Sequence, residues 1–236
     1  RYPDYNKDIP DKFYLAVYQN KIGKVLKTED GGLSFKEVYL TSRSGFPVYD
    51  VALDPRNPNI VWVATGEGNL LKSIDGGSTW KLQQEFGKAI NYLLINPSNS
   101  SAMLVTTFTG NIFTSQDGGV SWTDDTEGIN SFRNARLIEK VLYNPIDGAV
   151  YLTSKFGLIK SYDFGINWQA VDAVVANNIL PVTDVAFGGR QNYYISASNF
   201  IYSSKDAGKF WQIRKLSTAR QIRTLWVDPK NPDRII

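Results

Sequence analysis

One octapeptide pattern, Ser/Thr-x-Asp-x-Gly-x-x-Trp/Phe, occurs five times in this chain of 236 residues. Its aspartates are Asp30, Asp75, Asp117, Asp163 and Asp206, and its aromatic residues are Phe35, Trp80, Trp122, Trp168 and Trp211. Consecutive aspartates are 42 to 46 residues apart. A nearly fixed period of this length is typical of a protein in which each repeat is one structural unit.

A second signal keeps the same phase as the octapeptides. Roughly twenty residues before the next octapeptide the chain carries an Asp-Pro, Asn-Pro or Gly-Gly pair, which is a turn signal. These pairs are Asp54-Pro55, Asn96-Pro97, Asn144-Pro145, Gly188-Gly189 and Asp228-Pro229. Two different signals at one period identify a true repeat more firmly than either signal alone.

Each repeat is predicted to contain four short strands. In the second repeat they cover about 47–53, 60–65, 69–73 and 79–83, which are rich in Val, Ile, Leu, Trp and Thr and bounded by Gly, Pro, Asn and Asp. The nearest candidate for a helix is 171–180, but a long loop is an equal alternative there because of Asn177-Asn178 and Pro181. Four strands in 42 to 46 residues predict a β-propeller blade.

The octapeptide has the composition of a tight turn. Its Asp can accept hydrogen bonds from nearby backbone N–H groups, and its Gly can adopt a positive φ at low cost. Its Trp can bury a large ring against the hairpin or the next blade. Two copies depart from the pattern: Phe35 replaces Trp in the first, and Ala207 with Lys209-Phe210 predicts a looser turn in the fifth.

The five octapeptides resemble the Asp-box, or BNR, repeat, and the resemblance covers nearly the whole chain. It implies a β-propeller with the box at the periphery, between the third and fourth strands and on the face opposite the usual active site. We therefore interpret the five aspartates as structural residues, with catalysis or calcium binding as the alternative.

The predicted architecture is all-β, a single propeller domain over 1–236 with four-stranded antiparallel blades. The blades cover about 12–40, 46–84, 88–126, 136–172 and 181–218, and the first of them is expected to lack its first strand. The strand at 221–228 could close a five-bladed ring or begin a further blade over 221–236. We favour the second reading, in which the chain is truncated at its C-terminus and the ring has six to eight blades, because 228–236 repeats the text that begins at Asp54.

Composition removes several classes of function. The chain has no His and no Cys, which excludes imidazole bases, thiol nucleophiles, disulfides and the common zinc sites. We predict no metal and no cofactor. A net charge of +3 does not indicate nucleic acid, and no apolar run is long enough for a transmembrane helix.

Propellers bind ligands mainly where the loops between second and third strands meet the loops between blades. These loops carry arginines, whose forked guanidinium groups suit carboxylate or phosphate, and phenylalanines, which suit a sugar face or a protein hot spot. The candidate binding residues are Arg43, Phe46, Arg133, Arg136, Phe156, Arg220 and Arg223. The alternative is that the arginines are solvated and the phenylalanines pack blade against blade.

Two enzyme classes are considered through the resemblance. A sialidase would need a Tyr–Glu pair beside three arginines, and no Glu stands beside a tyrosine of these loops. The run from Val51 to Val61, followed by the octapeptide of Asp75, resembles the xyloglucan-cleaving glycosidases, whose chemistry needs two opposed carboxyl groups. Glu67 is the only acidic residue found in the corresponding loops.

We therefore predict a non-catalytic binding or scaffolding propeller that engages a protein or glycan partner. Resemblance to sortilin-type and photosystem II assembly-factor propellers is compatible with this role, and the family resemblance favours an exported protein. Hydrolysis of a polysaccharide or glycan, of the xyloglucanase or sialidase type, is the alternative.

Overall fold

The computed structural model describes residues 4–5, 11–171, 180–228 and 230–236. The protein is an all-β propeller with at least five blades, each an antiparallel sheet of four strands in sequence order. The described residues contain one short helix, the 3₁₀ turn Thr126–Ile129. The chain divides into two compact units, Arg1–Asp124 and Asp125–Ile236, here called the N-terminal and C-terminal units.

The N-terminal unit contains three blades. The first blade consists of β1 (Asp4–Tyr5), β2 (Phe13–Gln19), β3 (Ile22–Thr28) and β4 (Lys36–Leu40). The second consists of β5 (Val48–Leu53), β6 (Val61–Thr65), β7 (Asn69–Ser73) and β8 (Lys81–Glu85). The third consists of β9 (Ile90–Ile95), β10 (Met103–Thr107), β11 (Ile112–Ser115) and β12 (Thr123–Asp124).

The C-terminal unit contains two further blades and a hairpin. The fourth blade consists of β13 (Ile138–Asn144), β14 (Ala149–Ser154), β15 (Leu158–Ser161) and β16 (Gln169–Ala170). The fifth consists of β17 (Asp184–Gly188), β18 (Asn192–Ala197), β19 (Phe200–Ser204) and β20 (Gln212–Lys215). The hairpin pairs β21 (Val227–Asp228) with β22 (Asn231–Ile235).

Burial follows the position of each strand in its blade. Every residue of β6, β10 and β14, the second strands of three blades, is buried, whereas the fourth strand β20 is exposed along its length. Second strands read as continuous apolar or small-residue runs because both faces of the sheet are covered. In the N-terminal unit, for example, Trp62 of β6 packs in a cluster with Leu93 and Met103 of the next blade.

Two sequence predictions about strands are wrong. The first blade has its first strand, because Asp4–Tyr5 pairs with Tyr14 and Phe13 of β2. The predicted strand 221–228 is reduced to β21, because Ile222 and Leu225 bond to the fifth blade instead of forming a ladder. The sequence left a helix and a long loop as alternatives for 171–180. Residues 172–179 of that segment lie outside the described residues.

The two ends of each blade carry different connections. The octapeptide joins the third strand to the fourth at one end, called here the turn end, together with the loop between the first and second strands. The other end, called the loop end, carries the connections between blades and between second and third strands. Backbone bonds join the loop-end connections to each other, for example from Gly45 N to Lys21 O (2.7 Å) and from Leu216 N to Asn199 O (2.9 Å).

Within the described ranges, no helix is long and apolar enough to cross a membrane.

Candidate functional site

The octapeptide folds into a compact hydrogen-bonded turn, here called the Asp turn. In the second blade, Asp75 Oδ1 accepts hydrogen bonds from Ser73 Oγ (2.8 Å) and Thr79 N (2.8 Å), and Oδ2 accepts one from Thr79 Oγ1 (2.6 Å). Gly77 N donates to Ser73 Oγ at 2.8 Å. The Asp turns built on Asp30, Asp117 and Asp163 repeat this set of bonds with the residues at the same spacing.

The fifth Asp turn keeps its backbone bonds with a changed side chain. Phe210 N and Lys209 N donate to Asp206 Oδ1 at 2.9 and 3.1 Å, but Phe210 has no polar group to replace the Thr or Ser hydroxyl. Ala207 adopts φ 59°, where three of the other turns have Gly. A residue with a Cβ is strained in this conformation, so the fifth turn combines fewer bonds with a less favourable backbone.

The Asp turns are docked on their own blades. The residue after the aspartate donates its backbone N–H to the loop between first and second strands, as from Gly76 to Asn59 O (2.9 Å) and from Ala207 to Gln191 O (2.9 Å). The ring of Trp80 also donates to Val38 O of the preceding blade at 2.7 Å. These bonds explain why the octapeptides and the Asp-Pro-type pairs keep one phase: the two turns touch.

Hydrogen bonding holds the turn aspartates in their charged form. The hydroxyl and backbone donors of Ser34, Thr79 and Ser121 lower the pKa of Asp30, Asp75 and Asp117 to about 2. Because the hydrogen-bond donors to each carboxylate lie within its own turn, the negative charge stabilises the turn. Few of the carboxylate lone pairs then remain to bind a ligand or a metal.

We predict that this arrangement makes stability acid-sensitive between pH 4 and pH 2. The folded pKa of about 2 lies below the ordinary value of 3.8, so the stabilisation is present above pH 3.8 and is lost as the pH falls through 2. Melting temperatures measured by circular dichroism should be level down to pH 4 and then fall. The variant Asp75→Asn with Asp117→Asn should lose part of this slope, and an equal melting temperature at pH 4 and pH 2 in the wild type would contradict the assignment.

Asp30 also lines a cavity of about 400 Å³ between the first two Asp turns. Two of the acidic residues that line it have a basic partner in the N-terminal unit, since Glu29 lies 2.8 Å from Lys27 and Glu37 lies 2.7 Å from Lys24. The third acid, Asp30, already accepts three hydrogen bonds from Thr28 and Ser34 within its own turn.

At the loop end of the N-terminal unit, three residues singled out from the sequence line one cavity of about 470 Å³: Arg43, Phe46 and Glu67. The Glu67 side chain is 12% exposed and lies 4.0 Å from the Nε of Arg43, whose side chain is 78% exposed. Asn69 Nδ2 donates to Glu67 at 3.3 Å. Burial, together with the nearby charge of Glu67, raises the pKa of Tyr39 to about 12.

The same cavity is lined by a second carboxylate that the sequence analysis missed. Glu85 ends β8 and pairs with Asn69, two residues from Glu67. The signal was available in the repeat: the last residue of a fourth strand faces the connection between second and third strands of its own blade. The cavity therefore combines two acids, an arginine and one aromatic ring.

In the C-terminal unit, the loop end carries the next group of predicted residues. The rings of Phe132 and Phe156 lie 5.1 Å apart, and Arg133 is exposed on the loop that this contact holds. Arg136 is also exposed. Lys155 bonds through its backbone N–H to Leu137 O at 3.2 Å. Arg133, Arg136 and Phe156 are thus brought to one end of the fourth blade.

Arg220 and Arg223 lie on the segment that leaves the fifth blade. Both are exposed, and Arg220 N donates to Thr218 Oγ1 at 3.1 Å. The segment is bonded to the turn at Ser198 and Asn199, so these arginines are also at the loop end of the C-terminal unit.

Among the described residues, no group of three or more acidic side chains is placed to hold a metal ion.

No family model matches the sequence, and no curated protein matches it. Solved structures match it over nearly its full length. The GH74 xyloglucanase from Xanthomonas campestris superposes with a TM-score of 0.76 at 16% identity, over 99% of this chain and 42% of the enzyme. The chain spans 33% and 43% of two further GH74 enzymes.

Two other kinds of propeller are similar in fold. The extracellular domain of a one component system from B. thetaiotaomicron matches with a TM-score of 0.68 at 13% identity, over 98% of this chain and 31% of that one. A structure of the nidogen/laminin complex matches with a TM-score of 0.62 at 10% identity, over 90% of this chain and 79% of that one. Identities this low establish the propeller fold and nothing further.

Proposed function

We propose that the chain is an Asp-box propeller that binds a protein or glycan partner through its loop end and does not catalyse a reaction. The observation that carries this proposal is the separation of the two ends. The turn end uses its aspartates in bonds within the Asp turns, whereas the loop end presents exposed arginines beside phenylalanine rings.

The chemistry of the loop end favours recognition over turnover. Exposed guanidinium groups bind carboxylates and other oxyanions through forked hydrogen bonds, and a neighbouring aromatic ring adds a surface for a sugar or an apolar side chain. In the C-terminal unit, Arg133 and Arg136 around the Phe132–Phe156 pair offer such a surface. In the N-terminal unit, Arg43 and Phe46 at the cavity offer a separate one.

We also propose that the five blades and the C-terminal hairpin belong to one domain, and that the protein is exported. Similarity in fold to a domain described as extracellular supports export. Similarity to a propeller of the nidogen/laminin complex supports a protein partner, and similarity to a xyloglucanase keeps a glycan partner open.

Removal of two arginines tests the binding proposal. We expect Arg133→Ala with Arg136→Ala to weaken binding of the strongest ligand from a glycan array and a displayed peptide library by roughly tenfold, because two exposed ion pairs contribute up to about 1 kcal/mol each. Surface plasmon resonance gives the affinity, and the melting temperature reports the fold.

The matched control removes two cations from the turn end of the same unit, Arg190→Ala with Lys209→Ala. Unchanged affinity in the arginine variant, with an intact fold, would contradict the assignment of this surface. If both variants lose the same affinity, the loss would come from the lower net charge and not from these two arginines.

Hydrolysis of a glycan is the second candidate, because Glu67 and Glu85 line one cavity and glycoside hydrolysis uses a pair of carboxyl groups. We expect no sugar release from xyloglucan oligosaccharides by the wild-type chain. Turnover that disappears in both Glu67→Gln and Glu85→Gln, but persists in the control Glu37→Gln from the turn end, would replace the binding proposal with an enzymatic one. Reducing-sugar assays and chromatography of the products make the measurement.

A further inference from the structure

A run of basic residues without acidic ones stands at the C-terminal side of the fifth blade. From Lys209 to Val227 the chain has five Lys or Arg and no Asp or Glu. Four of the cations fall in ten residues, 214–223, here called the basic segment: Arg214, Lys215, Arg220 and Arg223. All four are exposed, and within the part of the chain that the structure describes none of them forms an ion pair.

Hydrogen bonds fix the basic segment against the fifth blade. Leu216 N donates to Asn199 O at 2.9 Å, and Asn199 Nδ2 donates to Thr218 O at 2.8 Å. Ile222 N donates to Ser198 O at 2.8 Å, while Ile222 O accepts from Thr183 Oγ1 at 2.8 Å.

Lys215, Arg220 and Arg223 are therefore each within two residues of an anchored backbone group. Their backbone positions are gathered around the Ser198–Asn199 turn before any ligand arrives. A ligand that bound all three would pay less ordering entropy than it would on a loose chain.

The Lys215 ammonium group also lies 5.8 Å from the ring centroid of Phe200, which is partly buried. Attraction to the ring face favours a position of the Lys215 charge beside the same turn. The Lys215 charge and the backbone of Arg220 and Arg223 thus lie around the same turn of the loop end.

The neighbouring side chains indicate the class of partner. Between the cations the segment reads Ser217-Thr218-Ala219, and these residues are exposed, small or hydroxylated. A protein–protein hot spot needs a large apolar or aromatic anchor in a desolvated pocket. The exposed residues of the basic segment include none, since its large apolar side chains, Leu216 and Ile222, are partly buried and the exposed Ile213 and Trp226 lie outside it. A hydrated chain with repeated negative charges needs only charge complementarity and hydroxyl hydrogen bonds.

We propose that the basic segment binds an anionic polysaccharide, whose repeated carboxylate or sulfate groups pair with Lys215, Arg220 and Arg223. This inference rests on the proposed function, since it assigns a ligand class to part of the loop end. Arg214, one residue earlier on β20, extends the charged surface along the strand.

Binding of labelled oligosaccharides tests the proposal. Fluorescence anisotropy compares a galacturonic acid decamer, which carries carboxylates, with a heparin decasaccharide, which carries sulfates. A neutral xyloglucan oligosaccharide and poly-L-glutamate of matched charge are the comparison ligands. The variant is Lys215→Ala with Arg220→Ala and Arg223→Ala, and the control variant is Arg190→Ala with Lys209→Ala and Lys230→Ala, which removes the same charge from the turn end.

We expect at least one anionic oligosaccharide to bind more tightly than the neutral one, with an affinity that falls as salt rises. The triple variant should lose roughly tenfold in affinity because three exposed ion pairs are removed, and the control variant should not. Preference between the two anionic probes identifies carboxylate or sulfate as the group recognised.

Three results would overturn the inference: equal loss in the control variant, tighter binding of poly-L-glutamate than of either anionic sugar, or an anionic sugar whose affinity is unchanged in the triple variant. Each of these leaves the proposed function standing if a ligand still depends on Arg133 and Arg136. If the wild-type chain binds none of the four probes and also no ligand from the array and the library, both the inference and the proposed function are contradicted.

Discussion

Replacement of Asp184 by Ala is expected to destabilise the protein by about 2–6 kcal/mol, because two backbone amides in a buried site lose their acceptor, at about 1–3 kcal/mol each. The Asp184 side chain is fully buried. It lies 2.6 Å from the Lys140 ammonium group, and its two oxygens accept hydrogen bonds from Val185 N (2.7 Å) and Leu225 N (2.9 Å). Alanine would leave two buried amides without acceptors and one lysine without its partner.

The expected result can be scaled against a related position in the N-terminal unit. Asp50 occupies the same place in the first strand of its blade, and it accepts bonds from Val51 N (3.1 Å) and Leu93 N (3.0 Å). Asp50 is only half-buried, so Asp50→Ala should cost less than Asp184→Ala.

Chemical denaturation at pH 7, followed by tryptophan fluorescence and circular dichroism, makes the comparison. Asp233→Ala, which removes an exposed partner of Lys205, is the control and should change stability by less than about 1 kcal/mol. A loss in Asp184→Ala no larger than the loss in the control would show that the buried Asp184 carboxylate does not join β17 to its neighbours.

The repeat predicted most of the fold because each blade repeats the same local signals. In the second blade the predicted third strand agrees with β7, and the first two differ from β5 and β6 by one residue at their start. The fourth strand begins two residues later than predicted, at Lys81, because the Asp turn continues through Trp80. Local turn chemistry sets these boundaries.

The errors occur where pairing depends on partners outside the segment itself. Asp4–Tyr5 is too short to show an alternating pattern, and it is a strand because the edge of β2 is available to it. The segment 221–228 has the apolar pattern of a strand, but its backbone N–H groups donate elsewhere, from Leu225 to Asp184 and from Ile222 to Ser198. The hydrophobic pattern of the segment does not show that its backbone will bond to those residues.

The candidate site was predictable in part for the same reason. Loop-end placement follows from strand order, so Arg43, Phe46 and Glu67 could be expected near one another, and they line one cavity. Glu85 was missed because acidic residues were sought only in the connections between second and third strands, and Lys215 was missed because it ends a fourth strand. The role of Asp184 was also missed, since its partners are 44 residues before it and 41 after it.

We propose a division of labour in which the Asp turns shape the blades while the loop end binds. Asp75 and Asp117 test it together, since each accepts hydrogen bonds from a Ser hydroxyl, a backbone N–H and a second hydroxyl. Asp75→Ala with Asp117→Ala removes these acceptors and leaves the loop end unchanged. We expect a melting temperature several degrees lower, because both turns lose their central acceptor.

The most direct measurement is the affinity of this double variant for the strongest wild-type ligand, taken below its melting temperature and set beside that melting temperature. We predict a lower melting temperature and an affinity equal to that of the wild type. A variant that melts as the wild type does but has lost its ligand would contradict this division, because the aspartates would then act in binding and not in folding.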